Sequence, residues 1–135
     1  MSMILSEESE IPGGSYLADC AVSGGTLRQT IQRMLRAAGG KLCLRLQPIY
    51  MDFPLPCPSG IGQEISQETL TAIRRDTPCF FSEELCMEYA AALREDQLHV
   101  LLYDTPETLQ RKFRLAEELE VPYLLVEDPA LRQTL

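Results

Sequence analysis

The stretch Leu98–Val126 reads LHVLLYDTPETLQRKFRLAEELEVPYLLV. Its first six residues form an apolar run of strand length. Thr105-Pro106 then sets a capping residue before a proline in the first helical turn. Leu109, Phe113 and Ala116 recur at helical spacing, and Pro122–Val126 is a second apolar run. Strand, helix and strand joined by a crossover of this length predict a right-handed parallel unit. That reading sets the fold class as α/β.

Upstream, Thr26-Leu-Arg-Gln29 has capping-box spacing, and Leu27, Ile31, Met34, Leu35 and Ala38 follow on one helical face. Gly39-Gly40 suits the left-handed end of that helix. Lys41–Tyr50 (KLCLRLQPIY) alternates Leu42, Leu44 and Leu46 against Cys43, Arg45 and Gln47, the period of a strand. Between Asp52 and Gly62, five prolines and glycines predict a break in all regular structure. Ser66 can cap a short helix bearing Leu70 and Ile73. Ser82 is predicted to cap another, through about Glu95, with Leu85, Tyr89 and Leu93 on one stripe. Residues 1–25 read as a strand at Met3–Leu5 followed by a loop.

The chain has 135 residues, enough for one domain with a hydrophobic core of its own. Its net charge of -8 and pI near 4.6 give a surface that repels nucleic acid and anionic membranes. No run of eighteen apolar residues is present, so no membrane span is expected. Met1–Glu10 holds three glutamates and no basic residue, unlike a secretory signal. Cys20, Cys43, Cys57, Cys79 and Cys86 form no C-x-x-C pair. Free thiols in a reducing compartment, the cytoplasm, are therefore expected.

The catalytic inventory is thin. His99, the one histidine, lies in an apolar strand, where a hydrogen-bonded structural role is the ordinary one. One histidine and scattered cysteines do not make a zinc site, and the glycine doublets do not make a phosphate loop. No catalytic residue, metal or cofactor is expected. Arg111, Lys112 and Arg114 alternate with glutamates and read as a solvated helix face. The distinctive stretch is Pro48–Pro56 (PIYMDFPLP). Tyr50, Asp52 and Phe53 combine aromatic faces with a carboxylate at a strand's end, a combination suited to sugar rings. The plainer alternative is a rigid turn that packs its aromatics into the core.

The order of motifs from Leu27 to about Asp128 resembles the C-terminal part of family-18 glycoside hydrolases, in their spore-cortex and chitinase-like branch. Lys41–Leu44 through Pro48–Pro56 is similar to that family's K-I-x-L-G-I-P-x-Y-G-Y-D-W-x-L-P, with Phe53 for the tryptophan. His99-Val100, Tyr103-Asp104, Thr108, Lys112 and Leu115 follow its H-x-V-W-F-x-D-x-x-S-x-x-x-K-x-x-L. The resemblance implies a partial (β/α) barrel-like or open parallel sheet of three to four strands. Flanking helices and a small α+β insertion at about 52–97 would complete a single domain, 1–135. That insertion would place short strands at 80–93, where periodicity gives a helix.

The departures bear on activity. The family's D-x-x-D-x-D-x-E segment, with its general acid, is absent from these residues. If Met3–Leu5 corresponds to the strand ending in Met-Thr-Tyr, Glu7 replaces the assisting tyrosine. The tryptophan that floors the sugar site is missing, with Glu127 near its place. The resemblance thus implies a non-catalytic domain that weakly binds N-acetylglucosamine-containing glycans of the chitin or peptidoglycan type, through Tyr50, Asp52 and Phe53.

Two other functions compete. Residues 82–126 are also similar to the anticodon-binding domain of class II aminoacyl-tRNA synthetases, against which the acidic charge argues. A protein-interaction or structural module is the third reading. In it the acidic surface sets the choice of protein partner. Separately, because three or four strands cannot close a barrel, the resemblance implies an open sheet, a homodimer covering its exposed edge, or a protein partner.

Overall fold

The computed structural model of the chain describes residues 2–6, 11–21, 25–57 and 62–134. Along them run β1 (Met3–Leu5), β2 (Tyr16–Asp19), α1 (Leu27–Ala38), β3 (Leu42–Arg45), β4 (Tyr50–Leu55), β5 (Gln63–Glu64) and α2 (Gln67–Arg75). Then follow β6 (Cys79–Ser82), β7 (Met87–Arg94), β8 (Gln97–Tyr103), α3 (Pro106–Glu118), β9 (Tyr123–Leu125) and α4 (Pro129–Thr134). They group into two compact units. One comprises Met1–Gln47, Glu84–Cys86 and Pro106–Leu135, the other Pro48–Glu83 and Met87–Thr105. The second encloses most of the segment 52–97 expected as an insertion. No helix among the described residues is long and apolar enough to cross a membrane.

The first unit is a parallel four-stranded sheet, in the order β2-β3-β9-β1, with helices beside it. Strand alternation sends Leu42, Leu44 and Leu124 into one core with Leu27 and Ile31 of α1 and Leu109 and Ala116 of α3. On the opposite face Leu5, Cys43 and Leu125 pack with Ile11 and Tyr123. Burial on both faces explains why Leu42-Cys43-Leu44 is apolar without a break. The expected capping box is present. Thr26 Oγ1 accepts from the Gln29 amide, and Gln29 Oε1 accepts from the Thr26 amide. Gly39 closes α1 with a positive φ of 57°. At the end of α3 Glu120 takes the left-handed role usually given to glycine. The Val121 amide reaches back to Ala116 O and the Glu120 amide to Glu117 O.

The second unit is an antiparallel sheet, β5-β4-β8-β7-β6. Its register sorts side chains into two faces, because directly paired residues share a side. One face carries Cys79, Ala90, Leu101 and Asp52 in a row, with Ala92, His99 and Pro54 beyond. There Leu70 and Ile73 of α2 pack against Ala90, Leu101 and Tyr103. The other face is mainly apolar, with Ser82 of β6 and Glu64 of β5 at its margins. Phe80, Tyr89, Leu102 and Met51 form one row, Ala91, Val100 and Phe53 the next, and Leu93, Leu98 and Leu55 the third.

Four local expectations are corrected. The helix capped by Ser82 is instead β6, a turn and β7. Ala90–Ala92 favours a helix locally, but pairing on both sides holds the segment extended. The predicted break after Asp52 begins later, since β4 continues through Leu55. Pro54 fits because β5 pairs only with Met51 and Asp52, so the missing N–H falls beyond that ladder. The parallel unit over 98–126 does not form, for β8 and β9 belong to different sheets. A two-residue turn gives β8 a neighbour adjacent in sequence, and closing it needs far less ordering than a long crossover. Finally, β2, within the segment read as a loop, lies beside β3, while Met3–Leu5 pairs with β9. Glu7 falls outside the described residues.

The β7–β8 turn is locally strained. Glu95 and Asp96 both have positive φ, 53° and 62°, between the paired Arg94 and Gln97. A two-residue turn of this hand favours Asn-Gly. The double replacement Glu95→Asn with Asp96→Gly should raise stability by about 1 kcal/mol in urea unfolding. An unchanged or lower midpoint would contradict this account of the turn.

Candidate functional site

Asp52 is buried on the helix-bearing face of the antiparallel sheet, at 6% exposure. Its register partner is Leu101, which sets His99 one step away diagonally along β8. Asp52 Oδ1 lies 2.7 Å from His99 Nδ1, and Oδ2 accepts from Arg94 Nη1 at 3.0 Å. An ionised carboxylate only accepts hydrogen bonds, so this geometry assigns the proton to Nδ1 and leaves Nε2 as the second ring position. The carboxylate therefore orients the imidazole and is itself neutralised by the guanidinium. This is a positioning network on rigid strands, and His99 is hydrogen-bonded, as a lone histidine in an apolar strand ordinarily is.

The three sugar-site candidates divide between the faces. Tyr50 and Asp52 share the helix-bearing face, with Tyr50 half-buried against the Leu70–Leu101–Tyr103 cluster. Phe53 lies on the opposite face by alternation, half-buried. Sequence reasoning missed Arg94 and the link from His99 to Asp52. The signal was available only to a reader who paired 50–55 antiparallel with 97–103. Lys112 also departs from expectation. At 1% exposure it is buried, so the basic residues of α3 do not form one solvated face.

A second polar cluster lies further along the same face. Tyr103, fully buried, donates to Glu88 Oε1 at 3.1 Å, and the Arg74 guanidinium sits 4.7 Å over its ring. Burial chiefly, then Cys79 and Glu88, push the Tyr103 phenol far above its ordinary value near 10, against a lowering by Arg74. Cys20, Cys43 and Cys86 are buried, while Cys57 and Cys79 are half-buried. Among the described residues no three His, Cys, Asp or Glu side chains group to hold a metal ion. Shallow surface depressions along α1, with Gln29, Arg33 and Arg36, and along α2, with Gln67, Thr71 and Arg75, are lined by other residues.

The parallel sheet with its helices and the antiparallel unit define an α/β protein of a recognisable kind. Solved structures share this fold. The spore cortex-lytic enzyme SleL of Bacillus megaterium QM B1551 matches with a TM-score of 0.56 and 18% identity, over 73% of this chain and 24% of that one. SleL of Bacillus cereus gives 0.57 and 16%, over the same shares of the two chains. A Bacillus subtilis protein described as a sporulation-specific glycosylase, ydhD, gives 0.58 and 15%, over 93% of this chain and 43% of that one. The chain thus spans between a quarter and less than half of the length of these structures. A family model for an anticodon binding domain matches residues 80–131. No curated protein matches.

Proposed function

We infer that this chain is a non-catalytic domain on a family-18 glycosidase-like scaffold, which weakly holds an N-acetylglucosamine-containing glycan rather than cleaving it. The observation that supports this reading is the fold it shares with the cortex-lytic enzymes, over most of its length. In this reading Arg94 and His99, held by Asp52, offer hydrogen bonds to sugar hydroxyls beside Tyr50, and Phe53 offers a separate stacking surface. Titration with N-acetylglucosamine oligomers, followed by amide chemical shifts, should give saturable changes at Tyr50–Leu55 and His99. An unresponsive spectrum at millimolar sugar would rule the glycan out.

The match over residues 80–131 favours a second reading, in which the chain binds RNA. An RNA hairpin is therefore the paired titration. Shifts caused by RNA and lost in Arg111→Glu with Arg114→Glu would replace the glycan reading. Both arginines are exposed on α3. The separation of β8 and β9 into different sheets and the charge of -8 weigh against this outcome.

A further inference from the structure

One face of the antiparallel sheet carries α2 and the Asp52–His99–Arg94 network, and among the described residues the opposite face has no helix of that unit against it. On that opposite face, Leu93 is 77% and Phe80 54% exposed, and Tyr89, Leu98 and Leu55 also stand in solvent. These five side chains belong to rows that hold no charged residue from β6 to β4. An apolar sheet face is stabilised when another layer packs on it. Scattered apolar residues on a surface need no explanation, but a contiguous face of this kind marks an interaction site.

We propose that this face is covered by the same face of a second copy of the chain, forming a two-fold sandwich of antiparallel sheets. A sugar is a poor occupant of the rows holding these five side chains, because an aromatic platform for sugar also needs several hydrogen-bonding groups, and from β6 to β4 these rows offer only the Tyr89 hydroxyl. The same face of a second copy fits on three counts. Two sheets pack face to face at about 10 Å with their strands nearly aligned. The chain is strongly acidic, yet these rows are uncharged from β6 to β4, with Glu64 only at the β5 edge, so the pairing brings no like charges together at its centre. The area also suffices. The five exposed side chains offer roughly 500 Å² per copy, so a symmetric pair removes about 1,000 Å², the lower bound of a specific interface. An interface at this lower bound belongs with the weaker associations, so a wide concentration range is needed to read it. Phe53 lies in the middle row of this face, so a glycan stacked on it would compete with the pairing.

Sedimentation of the full chain from about 5 to about 500 µM tests it, with a mass rising from one chain to two expected across that range. Leu93→Glu should weaken the pairing by about tenfold or more, since a charge would be buried against its symmetry mate. The exposure of Leu93 in the single chain keeps the fold intact in this variant, which circular dichroism checks. Leu98→Glu is the second variant, and concentration-dependent amide shifts over Tyr89–Leu98 are the independent measurement. A wild-type chain that stays single at the highest concentration overturns the proposal. So does a dimer that both variants leave unchanged.

Discussion

Replacing Asp52 by alanine should destabilise the antiparallel unit by about 3 kcal/mol, more than any ligand effect expected at that position. The substitution leaves the His99 Nδ1–H and the Arg94 guanidinium without their common acceptor. His99 is mostly enclosed, whereas Arg94 is more than one-third exposed and can turn to water. The loss is therefore set nearer the cost of one stranded buried donor and one weakened ion pair than that of a wholly buried pair. Asp52→Asn keeps the shape and one acceptor, and should lose about half as much. A double-mutant cycle with Arg94→Ala, read in urea unfolding with amide probes on β4, β7 and β8, separates the ion pair from the histidine contact. A loss below about 0.5 kcal/mol would mean that water already serves these groups. It follows that Asp52→Ala is a poor test of glycan binding, because the residue supports the strand that would present the site.

Tyr103 makes the second large effect, and it is a dependence on pH. The phenol is fully buried and ionises far above its ordinary value near 10 in the folded chain. Above pH 10 the unfolded chain releases this proton while the folded chain keeps it. The unfolded state then binds fewer protons, so stability falls as pH rises, by up to about 1.4 kcal/mol per pH unit from this one group. Below pH 10 the contribution is fully retained. Phenolate absorbance should show one tyrosine that ionises only as the sheet opens, and Tyr103→Phe should remove that delayed step. A smooth titration of all five tyrosines before unfolding would show that the site admits water.

The fold class was legible in the sequence because its signals are strong and local. Thr26 and Gln29 announce the start of α1, and the run around Leu44 and the apolar Tyr123–Val126 announce buried strands. The antiparallel sheet was not legible from periodicity. Tyr89 and Leu93 are four apart, which suits a helical stripe, but they are also an even number apart and share a strand face. The family resemblance, which implied short strands at 80–93, outperformed periodicity there. β2 was missed because Tyr16-Leu-Ala-Asp19 is four residues long and mostly exposed, too short to carry a pattern. Of the candidate site, Asp52 could be named but not its partners. Arg94 and His99 reach it through cross-strand register, a property of pairing that no single stretch of sequence contains.

The order β2-β3-β9-β1 has a consequence for how the chain is made. Of the four strands of the parallel sheet, β9, which joins β3 to β1, is made last, and among the described residues β1 has no other neighbour in that sheet. The antiparallel sheet, whose strands all lie between residues 50 and 103, can form from the hairpins β6–β7–β8 and the pairing of β8 with β4 while synthesis continues. Until Tyr123–Leu125 emerges, the apolar strand Leu42–Leu44 keeps one edge uncovered. During that interval the nascent chain most needs a chaperone to shield it from its neighbours.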